Sequence, residues 1–512
     1  MVLGDVQKLV FSPVSLSVLA VSIVTGVYIK TRSSAASKNA HSLPPGPKPD
    51  FLIGNVRQLP TTRMNEGFCT WARTYGDMVH ANIPGMRMVI LNSYEVVQDV
   101  LMKRPNTTAE RNNGYMFLNI MELNWFLTNL HPGPKHAEIR KMLRRAIGPQ
   151  RVGHHDPSIE KSAAALMLSL HASEGSPAHV ITSEVGRLVT TITYGDEIWK
   201  TMGEDMTAWN VEEMEYVNEA LANFWPVDVL HFLRFIPSWV PGIRFKKIGD
   251  RSRWLSHQIR FKPFEKVQEL HNRGDLGYSI ATDLIEEFGT TENARDALAV
   301  LYLGGADTTS TAILAFCHAL FLFPSVAKKI HDEIVTVTEG MRLPVPKDRA
   351  RLPYTEAAWK ESFRWKTWFP IGVPHVNTRD EIVNGFLVPT GSLIMSNNEF
   401  ILMDPRVWGD PETFRPERFL EPGADHLPNP LTVIFGFGMR VCPGLYLADR
   451  IGFDFSACMA ALFSLVPLEG KKVPDPNTVE YSDTGMKAPI GFECRFVPRD
   501  EKAKHLLHTM RL

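Results

Sequence analysis

The chain has 512 residues, 44% apolar and 22% charged, with a formal net charge of −1. These values suit a large globular protein and provide no global field that would attract nucleic acid. The five cysteines, Cys69, Cys317, Cys442, Cys458 and Cys494, are scattered and lack Cys-x-x-Cys spacing. That argues against a disulfide framework or a zinc site and fits a reducing compartment.

Leu9 to Ile29 carries no charge and is long enough to cross a bilayer. Lys30, Arg32 and Lys38 follow it, whereas only Asp5 and Lys8 precede it. The basic flank predicts an uncleaved anchor with the body of the protein in the cytosol. A cleaved signal peptide is the rival, with Ser34-Ala35-Ala36 as its small residues, but its basic leader would be weak here. Leu43-Pro-Pro-Gly-Pro-Lys-Pro49 then predicts a stiff, extended hinge.

Thr291 to Phe323 predicts one long helix, with Thr290 or Thr291 as its cap and Pro324 as its stop. Its second half is apolar on nearly every face, as in a helix buried through a large domain. Gly304-Gly-Ala-Asp-Thr-Thr-Ser310 interrupts that surface. Two glycines and four polar residues there predict a local kink or widened turn. Tyr354 to Thr367 predicts a further helix, in which Glu361 and Arg364 share a face at i, i+3. Taken alone, that pair reads as a solvated surface ion pair. Glu381-Ile-Val and Ser392-Leu-Ile-Met predict short strands in a turn-rich region.

The stretch Phe435-Gly-Phe-Gly-Met-Arg-Val-Cys-Pro-Gly444 sets Cys442 in a stiff loop of glycines and proline. A thiolate held in such a loop suits the axial position on a haem iron. The alternative is a buried free cysteine, which is common.

This loop resembles the haem-binding pattern Phe-x-x-Gly-x-Arg-x-Cys-x-Gly of the cytochromes P-450. Phe435, Gly438, Arg440, Cys442 and Gly444 match it. Gly304 to Thr309 resembles the family's oxygen-binding helix segment. Glu361 and Arg364, followed by Phe414-Arg-Pro-Glu-Arg-Phe419, resemble its Glu-x-x-Arg network. The resemblance implies haem b with Cys442 as axial thiolate and Phe435 shielding the sulfur. It implies proton delivery by Asp307 and Thr308, and haem carboxylates met by Arg140, His375 and Arg440. It gives Glu361, Arg364 and Arg418 a structural role. Where the family's Trp-x-x-x-Arg is expected, His136 stands in place of tryptophan and Arg140 fits.

The implied fold is mainly α with small β regions, preceded by one transmembrane helix. Residues 1–8 would form a lumenal tail, 9–29 the anchor, 30–49 the hinge and 50–512 the catalytic domain. The implied activity is a microsomal monooxygenase of fungal specialised metabolism, in the endoplasmic reticulum membrane. Electrons would come from NADPH through cytochrome P-450 reductase, with cytochrome b5 as a further donor; the basic run Arg140 to Arg145 would meet an acidic flavin domain. Family positions place the substrate pocket along Phe117 to Met121, Trp125, Phe126, Leu301, Leu303 to Ala306, Trp368 to Val373 and Thr484 to Met486. A lipophilic small molecule, such as a terpenoid intermediate, would suit such a lining. Phe232 to Pro241 has the bulk of a segment dipping into a membrane interface, or else of a loop packed on the domain. A reductase-independent isomerase or dehydratase, or a non-catalytic haem- or lipid-binding protein, are the competing readings.

Overall fold

The computed structural model describes residues 41–510, apart from 61, 113, 224, 238, 239, 241 and 242. The anchor expected at 9–29 lies outside these residues, as do Trp239 and Pro241. Ten of the helices carry the argument that follows. They are α1 (Met64–Tyr75), α2 (Pro134–Ile147), α3 (Asp156–Ala172), α4 (Ala178–Tyr194) and α5 (Asp196–Ala222). After these come α6 (Arg244–Arg273), α7 (Glu292–Leu322), α8 (Pro324–Thr338), α9 (Pro353–Arg364) and α10 (Leu445–Leu462).

The centre of the fold is α7. Thr291 caps it by accepting from the Ala294 N–H at 3.2 Å, as the sequence predicts. It packs most extensively against α4 and α10, and also meets α2 and α6. Among the described residues it is the one helix long and apolar enough to cross a bilayer, but two thirds of its apolar window is buried inside the protein. Packing against its own domain therefore accounts for its apolar surface.

The widened turn offered as one outcome at Gly304–Ser310 does not form, and the segment stays α-helical throughout. The hydroxyls bond back along the helix instead. Thr308 donates to Gly304 O at 2.7 Å, Ser310 to Ala306 O at 2.7 Å and Thr311 to Asp307 O at 3.0 Å. These three hydroxyls are satisfied without opening the backbone ladder. Helix α9 ends at Arg364, three residues before the predicted Thr367. Trp365 is extended and Lys366 takes φ 49°, which ends the helix.

Among the described residues, three small sheets flank the helices. The largest has strand order β1-β2-β7-β4, formed by Met78–Ile83, Met86–Leu91, Leu393–Ser396 and His375–Val376. β3 (Glu174–Gly175), β9 (Cys494–Pro498) and β8 (Phe463–Val466) form a second sheet. β5 (Glu381–Val383) and β6 (Phe386–Val388) form a hairpin. Its turn is Asn384-Gly385, both at positive φ, the pairing that suits strand twist. Parallel pairing of β2 with β7 ties the amino-terminal sheet to the segment that follows α9.

Pro44 and Pro47 are buried, and Pro45 O accepts from the His80 N–H at 2.9 Å. This part of the predicted hinge is therefore packed on β1.

Candidate active site

A cavity of about 310 Å³ lies between α7 and the loop that carries Cys442. Cys442, Phe435, Arg440 and Gly444 line one wall, and Gly304, Gly305 and Thr308 line another. The loop is set by its backbone. The Cys442 N–H donates to Phe435 O at 2.7 Å, closing the turn on itself. Gly438 sits at φ 57°, and a Cβ there would lie 2.4 Å from Leu101 O. A Cβ on Gly444 would lie 3.7 Å from Cys442 Sγ, so glycine keeps the sulfur's surroundings open. Burial pushes the Cys442 thiol up, opposed by the Gly444 and Leu445 N–H groups and by Arg140.

Behind this loop lies the predicted network, and it is buried rather than solvated. Glu361 and Arg364 are 0% exposed and Arg418 is 3% exposed. Arg364 donates to both Glu361 oxygens at 2.8 Å, and Arg418 Nε donates to Oε1 at 3.2 Å. The remaining guanidinium donors take the carbonyls of Leu402, Trp408, Asp410, Pro411 and Thr413. The network thus pins residues 402–418 to α9. Phe363 of the same helix has its ring centroid 6.0 Å from that of Phe435, so the brace reaches the start of the cysteine loop.

Cations gather at the cavity edge. Arg440 is buried; Nε donates to Ala109 O at 2.7 Å and Nη2 to Leu130 O at 2.8 Å, while Nη1 has no partner among the described residues. Arg140 donates to Val441 O at 2.9 Å, from α2 to the cysteine loop. His136 is buried with Nε2 unpartnered, and burial followed by the nearby arginines pushes it down to about 4. His375 is buried, and its Nδ1–H donates to Thr108 O at 2.8 Å. Burial and then Arg111 hold it well below the usual histidine range. A neutral ring bonded this way presents Nε2 as an acceptor, so it would have to be protonated to donate to a carboxylate.

Arg111 was not foreseen from the sequence. It is buried, its Nη1 donates to Val373 O at 2.6 Å and also to Pro374 O, and its Nε is unpartnered. Burial, then the neighbouring charge of Arg440, pushes it down to about 9. Its sequence context, Glu110-Arg111-Asn112, resembles any polar loop, so the signal appears only once the loop is folded over the cavity.

On the α7 side, Thr308 lines the cavity and Asp307 does not. Among the described residues no side chain bonds the Asp307 carboxylate. Burial, and then the charge of Glu215, pushes it up to about 6. Of the predicted pocket residues, Phe117, Phe126, Leu301, Leu303, Trp368 and Met486 do line the cavity. Trp125 does not: its indole N–H donates to Ser256 at 2.8 Å and anchors α6 instead.

A family profile described as Cytochrome P450 matches residues 44–489. The chain is 31% identical to Cytochrome P450 monooxygenase COX2 of Coprinopsis cinerea, across 98% of both chains. It is also 31% identical to Cytochrome P450 monooxygenase 208 of Postia placenta, across 96% of both. Cytochrome P450 monooxygenase ple1 of Rhodocybe pseudopiperita is 29% identical across 93% of both. The chain therefore belongs to the cytochrome P-450 family and is a monooxygenase. The family's cofactor is haem held by a cysteine thiolate, and the site fits it. The cavity has a cysteine on one wall, and the unpartnered nitrogens of Arg440 and Arg111 suit the carboxylates of such a group.

Proposed function

We propose that this monooxygenase inserts one atom of dioxygen into a C–H or C=C bond of a lipophilic small molecule, with terpenoid-type natural-product intermediates as the substrate class. The observation that carries this reading is a single cavity with Cys442 on one wall and Gly304, Gly305 and Thr308 on another.

Haem, when bound, supplies the activation of dioxygen. Cys442 would hold it through its sulfur, with Phe435, Gly438 and Gly444 shaping the loop around that atom. Arg440, Arg140 and Arg111 would meet its carboxylates, and His375 would join them once protonated. The Thr308 hydroxyl, donating to Gly304 O at 2.7 Å, has its lone pairs free to accept a proton donor in the cavity. Asp307, pushed up to about 6, exchanges a proton near neutral pH and would serve as a proton source behind this wall. The apolar side chains around them exclude water and position a substrate by shape.

Electrons reach the site from NADPH through a separate reductase, with cytochrome b5 as a second donor. Lys141 and Arg144, exposed on α2, support a basic docking face. The body sits on the endoplasmic reticulum membrane from the cytosolic side, with 9–29 as anchor, 30–49 as hinge and 50–512 as catalytic domain. Exposed Phe51, Leu52, Phe232 and Phe235 support a second, interfacial contact with lipid.

The test is spectroscopic first. Reduced protein under carbon monoxide should give the strongly red-shifted band of thiolate ligation, and Cys442→Ala should lose it. An imidazole-type band in folded wild-type protein would overturn the ligand assignment. Product formation that persists without a reductase would favour rearrangement or dehydration chemistry over oxygen insertion.

A further inference from the structure

The wall that α5 presents to the cavity is Met214, Val217, Asn218 and Leu221. Three of these are apolar. Asn218 is the exception, and its Oδ1 is buried with no hydrogen-bond partner among the described residues. In a pocket meant only for hydrocarbon, a leucine at 218 would avoid that cost.

The neighbourhood supplies a second unpartnered group. A Cβ on Gly485 would lie 2.8 Å from Leu221 Cβ and 3.4 Å from Asn218 Oδ1. The absence of a side chain there lets the carboxyl-terminal turn close onto α5. Two residues on, the Lys487 N–H donates to Trp368 O at 2.7 Å. The turn 485–487 therefore sits between Asn218 and Trp368, and Met486 within it lines the cavity. Trp368 also lines the cavity, is 5% exposed, and its Nε1–H has no partner. The Asn218 amide oxygen thus lies against one side of this turn and the Trp368 backbone bonds the other, and the Trp368 indole N–H, like the amide oxygen, is buried and unused by the described residues.

From this juxtaposition we infer that Asn218 and Trp368 form a polar anchor for a hydroxyl carried by an otherwise apolar substrate. The inference rests on the lipophilic-substrate reading above and narrows it. A hydroxyl is the group that satisfies both partners, because it accepts from the indole N–H while donating to Asn218 Oδ1. A hydrocarbon of the same shape leaves both bare, and a site built for a hydrogen bond rejects the analogue that lacks it. The substrate then comes from a step that has already installed the hydroxyl, such as a hydration or an earlier hydroxylation.

The experiment uses the full-length, haem-loaded protein in lipid nanodiscs and equilibrium binding titrations read from the haem absorbance shift. The probes are two matched pairs, cedrene with cedrol and farnesene with farnesol. In at least one pair the alcohol should bind about tenfold more tightly than the hydrocarbon. Asn218→Leu should bring that ratio to about one, Trp368→Phe should reduce it by about threefold, and Asn218→Ser should retain part of it. All variants are first checked for an unchanged reduced carbon monoxide band. Equal affinities within both pairs in the wild type would overturn the anchor alone. So would a preference that survives Asn218→Leu. Failure of every probe to bind would overturn the anchor together with the lipophilic-substrate reading.

Discussion

The two walls of the cavity are built on opposite principles. Behind the cysteine loop the polar groups are committed, one carboxylate, Glu361, serving Arg364, Arg418 and the Arg415 N–H at once, and the unpartnered nitrogens of Arg440, Arg111 and His136 are confined to the cavity edge. On the α7 side the lining is apolar, the hydroxyls satisfy themselves within the helix, and the unpartnered polar groups are few. The first arrangement over-determines a backbone, so that a sulfur is held in one place. The second leaves a surface that residue changes can reshape at little structural cost. Chemistry that needs a fixed ligand and a variable substrate calls for this division.

The division makes graded predictions. The largest effect should follow Glu361→Ala, which strands two buried guanidinium groups. Removing one partner from a buried ion pair costs about 3–5 kcal/mol, and here two cations lose the same carboxylate. The variant should lose its haem spectrum and unfold at much lower denaturant concentration than the wild type. Retention of both would mean that the carbonyls around Arg364 and Arg418 suffice to hold the loop.

Gly438→Ala comes next. At φ 57° a side chain adds backbone strain of about 1–3 kcal/mol, and the new Cβ would meet Leu101 O at 2.4 Å. Because the clash is with backbone, the loop itself has to move. Weaker haem retention is expected, measured by transfer of haem to apomyoglobin, with the helical content of the protein kept.

Asp307→Asn should leave the fold and the carbon monoxide band intact and lower product formation by about a hundredfold. The wild-type carboxyl is raised to about 6, first by burial and then by Glu215. Its folded form binds the proton more tightly than its unfolded form. The stability it contributes is therefore full below the ordinary carboxylate range and is lost as pH rises through about 6. Asp307→Asn does not titrate, so its stability relative to wild type should improve from about pH 4 to about pH 7. Chemical unfolding at the two pH values checks the sign, and a flat difference would show that the carboxyl is not buried in solution.

The same contrast explains what could be read before folding. The cysteine loop, the pairing of Glu361 with Arg364 and the cap of α7 were legible because each depends on short spacings within one element, whereas the burial of that pair came only from the family resemblance. Arg418 could be paired with Glu361 only through the family resemblance, since 57 residues separate them. Arg111, Asn218 and Trp368 were opaque as carriers of buried, unpartnered polar atoms. Each looks ordinary in sequence, and what distinguishes it is the loss of water and partners on burial, a property of tertiary packing. Trp125 erred the other way: an aromatic in a pocket-forming stretch turned to bond Ser256. The widened turn offered for α7 is absent, and i−4 carbonyls take up its hydroxyls instead, an outlet that composition does not reveal.

The smallest effect sharpens the comparison most, because it repeats the glycine test on the other wall. Gly304 lies inside α7, and a Cβ there would meet only Phe126 Cζ at 3.8 Å, an ordinary contact. Alanine is favoured over glycine in a helix interior by about 0.5–1 kcal/mol. Gly304→Ala should therefore keep or slightly raise thermal stability, where Gly438→Ala lowers it. The added methyl faces the cavity lining, so ligand affinity or the oxidised position should change while the fold does not. Gly305→Ala is the intermediate case, with its Cβ 3.3 Å from Val189 Cγ1, close enough that α4 has to give slightly. Thermal unfolding of the three variants side by side should rank Gly304→Ala above Gly305→Ala and both above Gly438→Ala. If Gly304→Ala proved as damaging as Gly438→Ala, the α7 wall would be as tightly specified as the cysteine wall, and the division between them would fail.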